Sequence, residues 1–232
     1  KINIKKTECM YQPIKLIHPP PEPELIMIDQ NPLVLATDFT YLGSTVSSTA
    51  KIDKELRNRL GKASAAFGKL QHRLWNNRHV SIRVKCKVYR AVVLSSLLYG
   101  AEAWTIYRTQ VKKLSAFMMR QLRDIMSVKW YDKITNEEIL RRANMPCMAD
   151  ILIERNLRWL GHVHRMDNDR LPKQLLYSQL KEGKRNQGRP RLRFKDVAKR
   201  NMKWRDINTS SWQTLARNRV AWRTATKSKP KP

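Results

Sequence analysis

The residues best suited to chemistry in this chain are those that meet phosphate. The densest run is Lys181-Glu-Gly-Lys-Arg-Asn-Gln-Gly-Arg-Pro-Arg-Leu-Arg193. Its guanidinium groups, Arg185, Arg189, Arg191 and Arg193, have the planar fork that suits bidentate contact with phosphate oxygens. Two glycines and a proline make the run read as a flexible loop. A second set lies earlier. Asn58, Gly61, Ala65 and Gly68 recur at spacings of three, four and three, so on a helix they share one face, flanked by Lys54, Arg57, Lys62 and Lys69. Small side chains between cations let an anionic partner approach the backbone closely. The same small stripe would also let a second helix pack there, and the spacing alone does not choose between the two.

Acid–base and metal chemistry find less material. The chain has no adjacent Asp-Asp pair of the kind that holds two divalent metals. Asp167-Asn-Asp169 brings two carboxylates together, but Asp and Asn close turns by themselves. Cys147, His162 and His164 could supply three zinc ligands. They lack a Cys-x-x-Cys partner, however, and two histidines two apart on a helix point about 200° apart. No Ser/His/Asp or Cys/His nucleophile pattern and no Gly-rich phosphate loop is present. The three cysteines, Cys9, Cys86 and Cys147, are far apart and odd in number, which fits free thiols in a reducing compartment.

Charge singles out the partner class. The 232 residues carry a net charge of +28, while 41% are hydrophobic, enough for a packed core. Such an imbalance repels itself unless a polyanion neutralises it, and nucleic acid is the leading candidate. The charge is uneven. Four lysines and five acids give residues 1–50 a net of −1, residues 51–232 carry +29, and 17 Lys/Arg against three acids give residues 181–232 +14. No apolar run approaches the eighteen or so residues that span a bilayer, so no membrane partner is expected. The start has no signal-peptide core and no initiator Met, which is the pattern of a piece of a longer protein.

The elements that position these residues are mostly helical. Residues 1–12 alternate like a strand, and residues 13–32, with six prolines, cannot be helical. Short strands are expected at Leu25–Ile28, Leu33–Leu35 and Phe39–Val46, the last closed by a Gly turn, together making a small antiparallel sheet. A long helix follows over about 52–75. Ile52, Leu56, Leu60, Ala63, Phe67, Leu70 and Leu74 line its core face. Ser81 caps a second helix running to Tyr99, with Val84, Val88, Val92 and Leu98 apolar, and Gly100 breaks it. Tyr99, Trp104 and Tyr107 read as core anchors. Thr109 caps a third helix over 110–129, with Val111, Leu114, Met118, Leu122 and Ile125 inward. Thr135-Asn-Glu-Glu138 is a capping box that opens a short helix at Asn136. A further helix runs over 148–166 with Arg155, Arg158 and Arg165 outside. Leu175, Leu176 and Leu180 suggest one short helix more, and amphipathic pieces follow at 194–204 and 211–224. The fold class is therefore mostly α: a helical bundle preceded by a small antiparallel β segment.

Several of these stretches resemble one family in order. Phe39-Thr-Tyr-Leu-Gly-Ser44, Lys54-Glu-Leu-Arg-Asn-Arg59 and Ala63-Ser-Ala-Ala-Phe-Gly-Lys-Leu70 are similar to the region after the catalytic palm in reverse transcriptases of non-LTR, LINE-type retrotransposons, most closely the RTE-like branch. The resemblance continues at Leu97-Leu-Tyr-Gly-Ala-Glu-Ala-Trp104, Leu157-Arg-Trp-Leu-Gly-His-Val-His-Arg-Met166 and Gly188-Arg-Pro190, covering nearly the whole chain.

The resemblance implies an organisation. Residues 1–50 would hold the end of the palm and the primer-grip segment, with Lys6-Thr7-Glu8 closing the palm. Residues 51–130 would be a helical thumb, 131–180 a connector, and 181–232 a basic C-terminal region. It implies that Tyr41, Leu42 and Gly43 set the primer end and that the first helix lies along a primer–template minor groove. It implies RNA, DNA or RNA–DNA hybrid as partners, with the upstream palm as a further one. No cofactor is expected in this fragment; the two divalent metals would belong to the palm, so the chain alone is not expected to be an enzyme. A nuclear location, or a cytoplasmic ribonucleoprotein, would follow. The alternative is a generic basic RNA- or chromatin-binding structural protein derived from a retroelement.

Overall fold

Local signals account for most element boundaries in the computed structural model, which describes residues 2–3, 7–11, 26–178 and 191–227. The chain divides into two units, residues 1–61 and 62–232, with the division inside the first long helix. The architecture is mostly α, as expected.

The first unit carries short strand pairs and the start of that helix. β1 (Glu8–Cys9) pairs with β4 (Val34–Leu35), β2 (Met27–Ile28) with β3 (Asn31–Pro32), and β5 (Asp38–Tyr41) with β6 (Ser44–Ser47). Two expectations need correction. The pieces do not join into one antiparallel sheet: they form three separate pairs, and β1–β4 is parallel. Nor is Phe39–Val46 a single strand. Tyr41 pairs with Ser44, leaving Leu42-Gly43 as a two-residue hairpin turn. Both turn residues have positive φ, 47° at Leu42 and 82° at Gly43. Such a primed turn matches the twist of the strands it joins, and glycine supplies its second position without strain.

α1 (Asp53–Lys69) begins in the first unit. Its apolar stripe is inward where expected, with Leu56, Ala63 and Phe67 buried. In the second unit the chain continues into a wider, π-type turn over Gln71–Trp75, where the Trp75 and Asn76 amides reach back five residues to the Leu70 and Gln71 carbonyls. The turn swings Trp75 inward. Its ring stacks on Phe67 with centroids 5.0 Å apart, and its Nε1 donates to the Phe67 carbonyl at 2.8 Å.

Ser81 caps α2 (Ile82–Val88) through Oγ, as expected. The helix passes through a second π-type stretch, Tyr89–Leu94, into α3 (Ser95–Leu97), and Gly100 turns the chain. The inward face is only partly the expected one. Leu98 is buried, but Val84 and Val92 are exposed, while Cys86, Tyr89, Val93, Leu94 and Leu97 are buried. The π stretch carries one extra residue per turn, so within it the burial stripe runs through Tyr89, Val93 and Leu94 and leaves Val92 outside. Lys85 is buried, with its Nζ donating to the Trp75 carbonyl at 2.7 Å. Of the three aromatic anchors, only Trp104 is buried; Tyr99 and Tyr107 are exposed.

α4 (Arg108–Ile125) starts before Thr109, because the Gln110 side chain accepts from the Tyr107 amide at 2.9 Å and closes the helix start there. Its buried stripe of Leu114, Met118, Leu122 and Ile125 is the expected one. Tyr89 Oη donates to Gln121 Oε1 at 2.9 Å, tying α4 to the helix through Tyr89. α5 (Asn136–Ala143) opens on Thr135, whose Oγ1 accepts from the Glu138 amide at 3.2 Å. The Glu138 carboxylate does not complete the capping box; it turns to Arg141 and Arg142.

α6 (Met148–His164) is the spine of the second unit. It packs against α4, the Ala101–Ala103 turn and the C-terminal helices. These are α7 (Leu171–Tyr177), α8 (Phe194–Trp204), α9 (Trp212–Arg217) and α10 (Arg219–Thr226). Leu157, Leu160, Val163, Leu176, Ala198, Met202, Ala216 and Trp222 form their common core. The piece expected over 211–224 is broken at Asn218, whose side chain caps α10 by accepting from the Val220 and Ala221 amides. Val220 consequently faces solvent.

Three features of this core escape sequence periodicity. Asn201 donates to Asn156 Oδ1 at 2.9 Å inside the core, and Asn156 donates to the Glu102 carbonyl at 3.2 Å. Arg205, buried, pairs with Asp150 at 2.9 Å. The third feature is Gly161. A Cβ there would lie 2.2 Å from Trp222 Nε1, so only glycine lets the indole sit on α6. That Nε1 donates to the Leu157 carbonyl at 2.8 Å.

Candidate nucleic-acid interface

In the first unit, four side chains of α1 hold the β5–β6 hairpin by hydrogen bonds. Lys54 Nζ meets Asp38 Oδ2 at 2.7 Å, and Glu55 Oε2 accepts from the Thr45 amide at 2.7 Å. Asn58 Nδ2 donates to Thr45 Oγ1 at 2.8 Å. Arg59, buried, donates to the Gly43 carbonyl at 2.5 Å and to Glu55 Oε1 at 2.7 Å. The ammonium of Lys54 holds the Asp38 carboxyl below its ordinary range. Two expected phosphate ligands are therefore engaged elsewhere: Lys54 is an ion-pair partner, and Asn58 is a hairpin tether. Sequence reasoning misses the Glu55–Arg59 pair. Its only signal is a Glu-x-x-x-Arg spacing, which on most helices marks an exposed pair.

The hairpin presents its tip outward. Tyr41 is 63% and Leu42 76% exposed. A non-glycine residue in left-handed conformation costs about 1–2 kcal/mol, and asparagine tolerates it better. Leu42→Asn is therefore expected to raise the stability of the first unit by about 1 kcal/mol. If the tip serves binding, the same change weakens affinity for a primer–template hybrid. Hydrogen exchange of the hairpin amides and a binding titration read the two effects. A variant less stable than the parent would refute the strain argument.

Farther along the same helix, the small face is open. Gly61 in the first unit, and Ala65 and Gly68 in the second, are exposed, and a Cβ added at Gly61 or Gly68 would meet nothing within 4 Å. Helix packing does not use this face among the described residues. Arg57, Lys62 and Lys69 are exposed beside it and have no ion-pair partner among the described residues. Glycines on an exposed helix interior each cost about 1 kcal/mol relative to alanine, so fold stability does not account for them here.

The basic loop lies largely outside the described residues, and Arg185 and Arg189 with it. Arg191 and Arg193 are described and exposed. Arg193 is engaged at the start of α8, where Asp196 accepts from its backbone amide at 3.0 Å and pairs with its guanidinium at 3.3 Å. The Leu192 amide donates to Tyr107 Oη at 3.3 Å, which gives exposed Tyr107 a role at the end of that loop.

The other candidate chemistry disperses. Cys147 Sγ donates to Asp150 Oδ2 at 3.0 Å, and burial pushes its thiol up. His164 Nδ1 lies 2.7 Å from Tyr177 Oη, and its ring is 5.1 Å from that of Trp212. Burial, then the charge of Lys173, lowers its pKa, which favours the neutral ring. No three His, Cys, Asp or Glu side chains cluster to hold a metal among the described residues. Among them no helix is long and apolar enough to cross a membrane.

Comparison with known proteins gives a curated relative. No family model and no solved structure matches the chain. Over 192 residues, covering 80% of this chain and 68% of the relative, it is 26% identical to an uncharacterized transposon-derived protein of Caenorhabditis elegans. The basic, mostly helical chain is thus similar, over most of its length, to a protein of transposable-element origin.

Proposed function

We propose that the chain is the primer-grip, thumb and connector part of a retrotransposon RNA-directed DNA polymerase. It positions a primer–template duplex and leaves catalysis to a palm. The observation that carries this reading is the open small-residue face of α1, with room at Gly61 and Gly68 and exposed Arg57, Lys62 and Lys69 beside it. A hybrid duplex has a wide, shallow minor groove that a smooth helix face can enter, reading shape and 2′-hydroxyls. Lysine and arginine alongside neutralise phosphates and position without specifying sequence. Similarity to a transposon-derived protein supports the same context. In this reading the two divalent metals sit in the palm, and the protein works in the nucleus or in a ribonucleoprotein particle.

The test is fluorescence anisotropy with an RNA–DNA hybrid, duplex DNA and single-stranded RNA across a salt series. Preference for the hybrid over duplex DNA at matched salt is expected. Changing Gly61, Ala65 and Gly68 together to Leu should lower hybrid affinity about tenfold or more while helicity is kept, since a Cβ at either glycine meets no described atom within 4 Å. The net charge of +28 favours a second reading, a generic basic RNA- or chromatin-binding protein. Equal affinity for all three ligands, with steep salt slopes and no effect of the triple change, would select it.

A further inference from the structure

We infer that the second unit carries a separate seat for the phosphates of a single nucleic-acid strand, in the arginine-lined cleft between α6 and α10. The inference rests on the nucleic-acid reading above but uses none of the residues of α1.

The cleft encloses about 620 Å³. Arg155 and Arg158 line it from one face of α6, Arg165 from just past that helix, and Arg219 and Arg223 from consecutive turns of α10; Glu102 is the one carboxylate in its wall among the described residues. Two of the five guanidinium groups are anchored. Arg155 donates to the Leu98 carbonyl at 2.8 Å, with Glu102 at 3.9 Å, and Arg165 donates to the Ala216 carbonyl at 2.6 Å. Arg158, Arg219 and Arg223 have no side-chain hydrogen bond or ion pair among the described residues. The crowding has an electrostatic cost. Burial, and then the charge of Arg219, lowers the pKa of Arg165; burial also lowers that of Arg155, where the charge of Glu102 opposes it and that of Arg158 adds to it. An arrangement that keeps cations together against their repulsion is relieved when an anion enters it.

The occupant follows from shape and chemistry. Three planar forks without partners among the described residues suit bidentate phosphate binding. Trp159 and His162, with ring centroids 5.3 Å apart, form an aromatic stretch of the wall where an unpaired base can stack. The cleft's volume has room for an unpaired nucleotide or two but not for the stacked pairs of a double helix. The helical spacing of the sequence puts Arg155, Arg158 and Arg165 on an outer face; Arg219 and Arg223 join them only because Gly161 lets Trp222 bring α10 onto α6.

The experiment compares the whole chain with three sets of changes: Arg158→Gln, Arg219→Gln and Arg223→Gln together; the same three to Lys; and, as an equal-charge control off the cleft, Lys112→Gln, Lys113→Gln and Arg120→Gln. Anisotropy is read with a labelled single-stranded RNA 12-mer and with an RNA–DNA hybrid, and thermal melts verify folding. The Gln cleft variant should bind the single strand at least tenfold more weakly. Its slope of log K against log salt should flatten by about 0.7 for each phosphate no longer neutralised. The Lys variant, which keeps charge but not the fork, should bind at least threefold more weakly, and the control should change by less than threefold. Adenosine monophosphate competing at micromolar concentration would instead assign the cleft to free nucleotides and overturn the strand seat. So would equal weakening in the cleft variant and the control. If the cleft variants bind single strands like the parent while the α1 changes still abolish hybrid binding, only this inference falls. If the parent binds neither ligand, the proposed function falls as well.

Discussion

Gly161→Ala is expected to destabilise the second unit by about 2–4 kcal/mol, and Gly61→Ala to stabilise its helix by about 0.5–1 kcal/mol. The same change has opposite signs because the surroundings differ. At Gly61 the new methyl meets open space, so the gain in helix propensity is all that remains. At Gly161 it would lie 2.2 Å from Trp222 Nε1 and 2.4 Å from Cδ1 of the same ring. That ring is 2% exposed and cannot tilt outward without leaving the core formed with Leu157, Leu160 and Ala216. Moving it also breaks the hydrogen bond from Nε1 to the Leu157 carbonyl. Overpacking costs about 1–3 kcal/mol and a broken buried hydrogen bond about 1–3 more, against roughly 1 gained from propensity. A melting temperature lower by roughly 5–12 °C, read by circular dichroism, would bear this out. Unchanged melting would mean that α10 docks without the indole. Trp222→Ala should fall further, by about 3–5 kcal/mol, because it leaves a cavity.

The second large effect lies in the first unit. Glu55→Ala should cost about 3–5 kcal/mol and release the β5–β6 hairpin from α1. The Glu55 and Arg59 side chains are 4% and 5% exposed, so removing the carboxylate leaves a cation with little water to replace it. The Thr45 amide loses its acceptor in the same step. Amide exchange at Thr45 should then approach the rate of an unstructured chain, while the second unit's tryptophan fluorescence stays native. Changing the pair together, Glu55→Leu with Arg59→Met, should recover most of the loss, since neither charge is then stranded. If the single change left exchange at Thr45 slow, the hairpin would be held by its own strand pairing.

What is legible in the sequence depends on whether the cause is local. The limits of α8 over Phe194–Trp204, the Thr135 cap and the Leu114–Ile125 stripe follow from periodicity and capping, and they stand as expected. The exposed small face of α1 is legible for the same reason. The occupied side chains are not. Lys54 and Asn58 look available because their partners, Asp38 and Thr45, lie across a hairpin whose turn reads as strand in the sequence. Tyr99 and Tyr107 look like core because aromatic residues usually are; their exposure depends on where the chain bends at Gly100. Val92 is misplaced by simple periodicity because it lies in a π-type stretch that changes the count of residues per turn, which no composition signal announces.

Those two π-type stretches, Gln71–Trp75 and Tyr89–Leu94, have a consequence for how such a chain can drift. Each holds one residue more than an α turn needs, so each is a place where a single codon can be lost without opening the helix. The wider turn already accommodates the extra residue, so its loss would return the segment to an ordinary α turn and leave the helix on either side presenting nearly the same face. Descendants of one ancestral helix could therefore differ in length by one residue at these places and still bury the same side chains. An alignment that puts its one-residue gap outside these segments would pair side chains that never occupy the same place.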